Sequence, residues 1–448
     1  MKKLIILLIC GTILLDCSCK KLVNIGPPTS QLTPDKVFNN ATSVNAATAN
    51  IYTILGTVDA QFVPYIGVYT DELTTNKIDA TTVQFTNSSL ISTNTNVLNI
   101  WKTLYSTIYK ANALIEGVQG SANIADSIKN QCLGEGKFIR AYSHFMLVNI
   151  FGDVPLVTST NAAVNAVTAR TSTAAVYAQI INDLKDANTL LVANYPASGD
   201  KVRANKWAAC ALLSKVYLYT GDYTNAESQA SLVINSGMYT LLNNLNSVFL
   251  ANSSETILQN WNTSGYVNFS FIPGSGQPSY PLSSSLLNAF ESGDNRKSAW
   301  TKSTLVSGTT YYYPYKYKQR VITTGANAEY VMYLRLADVY LIRAEARAQL
   351  NNLSGALADL NGIRNRAGLS ATTANNQTSV LTAIAHERQV EMFTEGGNRF
   401  FDIKRNSTIN SILIPLKPLW KSTASVFPLP QSEIFTDPNL VQNQGYNN

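Results

Sequence analysis

Two stretches of this chain carry the same helix–turn–helix text, and that repetition limits the fold more than any other feature. Ala204 to Thr220 reads as one helix, Gly221-Asp222-Tyr223 as a turn, and Asn225 to Asn235 as a returning helix. Leu336 to Leu350, a turn at Asn351-Asn352, and Ser354 to Arg366 repeat the scheme. Small residues recur where two helices cross closely: Ala209, Ala226 and Ala230 in the first pair, Ala344, Ala348 and Ala356 in the second. One helix pair cannot bury its apolar stripe alone, so repeated pairs imply stacking into a continuous helical body.

The offsets are those of a tetratricopeptide-like repeat. Further helices are predicted from about Ser43 to Leu55, from Val97 to Gly117, from Ala125 to Phe151 and over 173–195. In the second of these Ile100, Leu104, Ile108, Ala111 and Ile115 recur at three- and four-residue steps. Residues 56–96 are Thr/Asn-rich and weakly periodic, which predicts a long loop region. Residues 245–330 change character, with Gly/Pro/Ser/Asn punctuation, short alternating runs and many aromatics. An insertion that long is usually functional. The expected fold is mostly α, a helical repeat scaffold over 33–244 and 333–448 with a loop and short-strand rich insertion over 245–332.

The first residues say where the protein works. Lys2 and Lys3 precede an apolar run, Leu4 to Leu15, followed by Asp16-Cys17-Ser18-Cys19. The run is too short to cross a ~30 Å bilayer, and charge followed by apolar residues is the order of a cleaved export signal. A lipoprotein signal peptide is expected over 1–18, with lipid on Cys19 and a tether over 19–32. Ser18 supplies the small residue at the cut, although Asp16 stands where an aliphatic residue is usual. Cys17 is the alternative, with Leu14 three back but Asp16 immediately before it.

Charge and composition narrow the function classes. Charged residues are only 14%, against ~25% in an average soluble protein, so the surface is polar but weakly charged. The 34 basic and 28 acidic residues form no long basic block, which argues against nucleic-acid binding. The densest basic stretch, Lys316-Tyr317-Lys318-Gln319-Arg320, reads as one face of a strand. Cys132 and Cys210, the cysteines beyond the signal region, read as buried thiols, with one bridge left open. No CxxC or His cluster offers a metal site, and no cofactor is expected. His144 and His386, the two histidines, both sit in helical text, leaving few bases for a catalytic triad. Glu387, Arg388, Glu391, Glu395, Arg399, Asp402 and Arg405 alternate in sign at helical steps, which suits structural ion pairs.

Several stretches together resemble the SusD/RagB family of outer-membrane nutrient-binding lipoproteins. They run from Arg140 to Thr158, Ala204 to Thr240, Tyr333 to Ser370, His386 to Asn406 and Phe427 to Asn447, in order along nearly the whole mature chain. The resemblance implies a non-enzymatic, lipid-anchored protein at the cell surface. It would capture glycans, less often peptides, and sit as a lid over a SusC-type TonB-dependent transporter.

Candidate ligand residues follow from sugar chemistry. A sugar ring offers an apolar C–H face and a hydroxyl rim, matched by aromatic faces and by amide, carboxylate or Tyr hydroxyl groups. In the insertion, Tyr266, Phe269, Phe271 and Tyr280 are candidates, with packing of the loop domain as the rival reading. Tyr311-Tyr312-Tyr313 is expected to alternate in a strand, and Tyr311 and Tyr313 join the candidates. Asp71 and Asn76 lie in the early loop region that, by the resemblance, borders the ligand face. Trp101 is divided between platform and core, Trp207 is expected in the core, and Trp261 and Trp300 stay open. Glycan binding leads; a peptide ligand, or a lipoprotein glycoside hydrolase or lyase, are the alternatives.

Overall fold

The computed structural model describes residues 37–447 apart from 197–199, 263–264, 267 and 269. Cys19, the signal peptide, the tether and Phe269 lie outside the described residues.

Helix α1, Ala41–Tyr69, starts where Asn40 accepts the Ser43 N–H at 2.8 Å. Its buried residues, Val44, Thr48, Ile51, Leu55, Val58, Phe62, Ile66 and Tyr69, follow a three-and-four step to the end. The helix therefore runs well past the expected end at Leu55. Pro64 lies inside it and removes one backbone donor, but Phe62, Ile66 and Tyr69 are buried across the interruption. A short helix, Ala80–Thr86, also stands where loop was expected.

The body is a run of helices in which each packs on the next. α2 is Thr95–Gly120, α3 Asp126–Phe151, α4 Thr173–Leu190, α5 Lys206–Tyr219 and α6 Tyr223–Asn235; α7 is Leu336–Gln349 and α8 Leu353–Arg366. α9, Gln377–Glu391, packs on α7 and α8, and α10, Asn398–Arg405, follows. The α5–α6 and α7–α8 hairpins turn alike. Gly221 and Asn351 are left-handed, with φ of 76° and 60°. Asp222 and Asn352 then cap the returning helices with the same φ and ψ, −85° and 72°. Gly221 is suited to that backbone, and Asn is the side chain that tolerates it best. The crossing residues Ala209, Ala226, Ala230, Ala344, Ala348 and Ala356 are all buried.

α6 packs against α7 across the whole insertion in sequence, so the two repeat regions share one stack. Strand β1, Thr256–Gln259, pairs antiparallel with β4, Met332–Arg335, and ties the two ends of the insertion together. Between them β2, Thr301–Val306, and β3, Thr309–Pro314, form a hairpin in the register Val306↔Thr309. Its Ser307-Gly308 turn has φ of 49° and 81°, the double left-handed turn that suits strand twist. Residues 315–320 are not strand. Lys316 is buried there and donates to the Glu391 carbonyl at 2.7 Å, which corrects the strand-face expectation.

The acidic and basic residues of α9 and α10 are structural, and their partners reach beyond those helices. Arg296, Arg335 and Arg366 all converge on the Glu391 carboxylate. Glu255, Asp294, Glu387 and Glu395 supply further counter-charges to the same three guanidiniums. Cys132 and Cys210 are free and buried.

Candidate functional site

The segment leaving α1 first anchors itself and then emerges. Asp71 turns inward, where its carboxylate accepts from Arg399 Nε and Nη2 at 2.8 and 2.7 Å and from Ser285 Oγ at 3.1 Å. Burial disfavours its charge, but the Arg399 guanidinium overcomes that and holds the carboxyl below the usual range. Asp71 is thus an anchor and not a hydroxyl acceptor for ligand, because both its oxygens are spent in the interior. Glu72 beside it is fully buried, and burial together with the Asp71 charge pushes its carboxyl up to about 8.

From Leu73 the chain runs along 278–282 like an added strand. Leu73 bridges Leu282, Thr74 N–H donates to the Pro281 carbonyl at 2.8 Å, and Asn76 N–H to the Ser279 carbonyl at 3.1 Å. The Asn76 side chain donates to the Pro278 carbonyl at 3.0 Å. On the other side Leu282 N–H donates to the Tyr312 carbonyl at 2.8 Å. Three chain segments thereby form a ledge at the surface of the insertion.

The ledge has an aromatic floor and an exposed rim. Tyr280 is buried within it, its ring 6.2 Å from Phe271 and its hydroxyl bonded to Tyr65, and burial raises its pKa to about 12. Lys77 Nζ stands 5.1 Å from the Tyr280 ring centroid. Gln277 Nε2 donates to the Tyr311 hydroxyl at 2.9 Å. Tyr312 is 38% exposed and Ile78 92% exposed. Exposed Asp79 is held near 2 by the Thr81 hydroxyl and the Thr82 N–H.

The structure divides the expected residues between rim and floor. Asn76 and Tyr311 reach the rim. Phe271, Tyr280 and Tyr313 are buried and support it. Tyr266 is half-buried, its ring edge-on to Tyr317 at 5.0 Å. Trp101 is core: it is buried against Tyr105 and Phe151, with ring centroids 4.7 and 4.9 Å away. Of the other tryptophans, Trp300 is fully buried, Trp207 is partly buried against the core, and Trp261 is exposed. Lys77 and Gln277 also belong to the rim, and no sequence signal marks them. Tyr312 joins the ledge through its carbonyl, while strand alternation turns its exposed ring to the face opposite Tyr311 and Tyr313.

The histidines are engaged elsewhere. Burial and the Arg140 charge push His144 down to about 3, and His386 Nε2 bonds the Ala289 carbonyl at 2.8 Å. Two clefts of ≈620 and ≈730 Å³ share no residue with the ledge. With Asn76, Lys77 and Ile78 exposed, the ledge is open surface with a ring, amides and hydroxyls, suited to laying down an extended chain.

Comparison with known proteins agrees with this architecture. Residues 28–218 match a family model described as "Starch-binding associating with outer membrane", and residues 214–417 match the SusD family. A SusD-like protein of Formosa agariphila is 22% identical over 96% of each chain. One from Bacteroides ovatus is 28% identical over 70% of this chain and 66% of its own. Among solved structures, a SusD superfamily protein of Bacteroides vulgatus superposes with a TM-score of 0.81 at 21% identity, covering 91% of this chain and all of that one. A laminarin-binding SusD-like protein superposes with a TM-score of 0.78 at 25% identity, again over 91% and 100%. Two family models that overlap at 214–218 and together span 28–417, on a scaffold of the same fold, lead to one conclusion: the chain belongs to the SusD/RagB family.

Proposed function

We propose that this protein is a glycan-binding lipoprotein of the outer-membrane surface that passes oligosaccharide to a SusC-type TonB-dependent transporter. The observation that carries the reading is the ledge, where Tyr311, Gln277, Asn76 and Lys77 present a ring, a hydroxyl, amides and an ammonium on open surface. Ring faces take the C–H face of a sugar, and the polar groups take its rim. The family's starch-binding description and the laminarin-binding relative support a glycan over a peptide.

The test is affinity measurement against a panel of soluble polysaccharides, with wild type and Tyr311→Ala. Loss of one stacking ring should weaken binding by about 1–3 kcal/mol, by analogy with base–aromatic stacking, with no change in melting temperature. Absence of binding to every glycan, with binding to peptides instead, would replace this reading by the peptide one. Co-purification with a SusC-type transporter tests delivery, and mass spectrometry of the mature N-terminus tests the lipid on Cys19.

A further inference from the structure

The chain that leaves the ledge through Ala80–Thr86 builds one wall of a second concavity. Residues 88–93 face Pro418 to Ala424 and Gly445 to Asn447 across a cleft of ≈620 Å³, within the ~300–1,000 Å³ range of small-ligand sites. Its walls are held by groups that already have partners. Ser92 Oγ donates to the Asn447 carbonyl at 3.1 Å, and Gln431 N–H to the Ser92 carbonyl at 2.9 Å. Trp420 Nε1 donates to Asn410 Oδ1 at 2.9 Å, and the Tyr446 hydroxyl to the Val426 carbonyl at 2.7 Å. Gly445, with φ of 90°, brings the backbone so close to Thr423 that a Cβ would stand 2.3 Å from its Oγ1.

The remaining polar groups of the cleft are unspent. Ser88 Oγ is buried in the wall with no partner. Among the described residues the side chains of Ser89, Thr93, Thr423 and Gln431 make no hydrogen bond, and Lys421 makes no ion pair. The floor is apolar, formed by Leu90, Pro418, Leu419, Trp420 and Tyr446.

This chemistry selects a ligand class. Among the described residues no Asp or Glu side chain lines the cleft, which does not favour an amine or a metal cation. One lysine is too little charge for a polyphosphate. None of its walls is strand, so an extended peptide has no ladder edge to join. A pyranose ring fits what is left, its C–H face on the floor and its hydroxyls toward the unspent groups. We propose that this cleft is a second saccharide site, separate from the ledge, that takes a short oligosaccharide segment.

Hydrogen exchange of the full mature chain, with hexasaccharides of β-1,3-glucan, β-1,4-glucan, xylan, mannan and galacturonan as probes, tests this. At least one sugar should slow exchange in 88–93, 418–424 and 443–447. Ser89→Trp, which fills the cleft, should abolish that protection and weaken binding there at least tenfold, while 74–79 and 277–282 keep theirs. Leu419→Ser, at an exposed position, is the second variant should Ser89→Trp lower the melting temperature. Protection confined to 74–79, 277–282 and 311–312 with every sugar overturns the second site and leaves the ledge standing. Protection confined to the cleft overturns the ledge reading, and none anywhere overturns both.

Discussion

Replacing Glu391 with glutamine tests the buried ion network that joins the repeat helices to the insertion. Glu391 ends α9 and is fully buried. It accepts from Arg335 Nη1 at 2.6 Å, from Arg296 Nη1 at 2.9 Å and from Arg366 Nη2. Burial opposes its charge, but the guanidiniums of Arg366, Arg335 and Arg296 outweigh it and hold the carboxyl well below the usual range. Glutamine preserves volume and one acceptor while removing the charge that three guanidiniums share. Breaking a buried ion pair from one side costs about 3–5 kcal/mol. Arg296 keeps Asp294 and Glu387, Arg335 keeps Glu395, and Arg366 keeps Glu255, so the cost falls near the low end, about 3 kcal/mol. At ~2.1 cal/mol/K per residue, the ~410-residue body unfolds with roughly 0.9 kcal/mol/K, and the melting temperature should drop by about 3–4 °C. Calorimetry at pH 7 reads this directly.

The acid limb gives an independent check. A carboxyl depressed in the fold confers stability that is present above its unfolded pKa, ordinarily 4.5, and is lost as pH falls toward the folded value. The gap between wild type and Glu391→Gln should therefore narrow from pH 7 toward pH 3. An unchanged melting temperature at pH 7, or a gap that widens in acid, would refute the reasoning.

Glu72 should behave with the opposite sign: its carboxyl is raised from 4.5 to about 8, so the stability linked to its protonated form is lost as pH rises through that window. Glu72→Gln should flatten the decline between pH 5 and 8, and an undiminished decline in urea titrations would show that another group causes it. Trp101→Ala should cost about 3–5 kcal/mol of stability, as aromatic truncations in cores do, and leave glycan affinity unchanged; lost affinity without lost stability would return Trp101 to the ligand face. Asp71→Asn, which weakens the Arg399 anchor, should loosen the ledge, read as faster hydrogen exchange over 73–77; exchange equal to wild type would mean that backbone bonds to 278–282 suffice.

Local patterns carried the scaffold. Helical periodicity marked α2, which buries one stripe, whereas α3, α5 and α7 are buried on nearly every side and were legible from long apolar helical text between turns; the small residues of the repeat pairs are buried in them. α1 beyond Leu55 was hidden because Gly56 and Pro64 break local propensity, while the burial that overrides them comes from distant partners: Tyr69, for example, packs on Phe427 at 4.9 Å. The charges of α9 and α10 read correctly as structural, but Arg296, Arg335 and Arg366 could not be assigned to Glu391 from spacing. Arg335 and Arg296 lie 56 and 95 residues away from it.

The ledge shows the same division more sharply. Sequence alone determined the family, the repeat body, the aromatic insertion and the alternation that splits Tyr312 from its neighbours, since each depends on residues near one another in the chain. Which aromatics form floor and which form rim was decided by pairing between 73–76, 278–282 and Tyr312, a contact spanning some two hundred residues. Tyr280 and Tyr312 carry similar local text. Only the segments packed over them bury one ring and leave the other exposed.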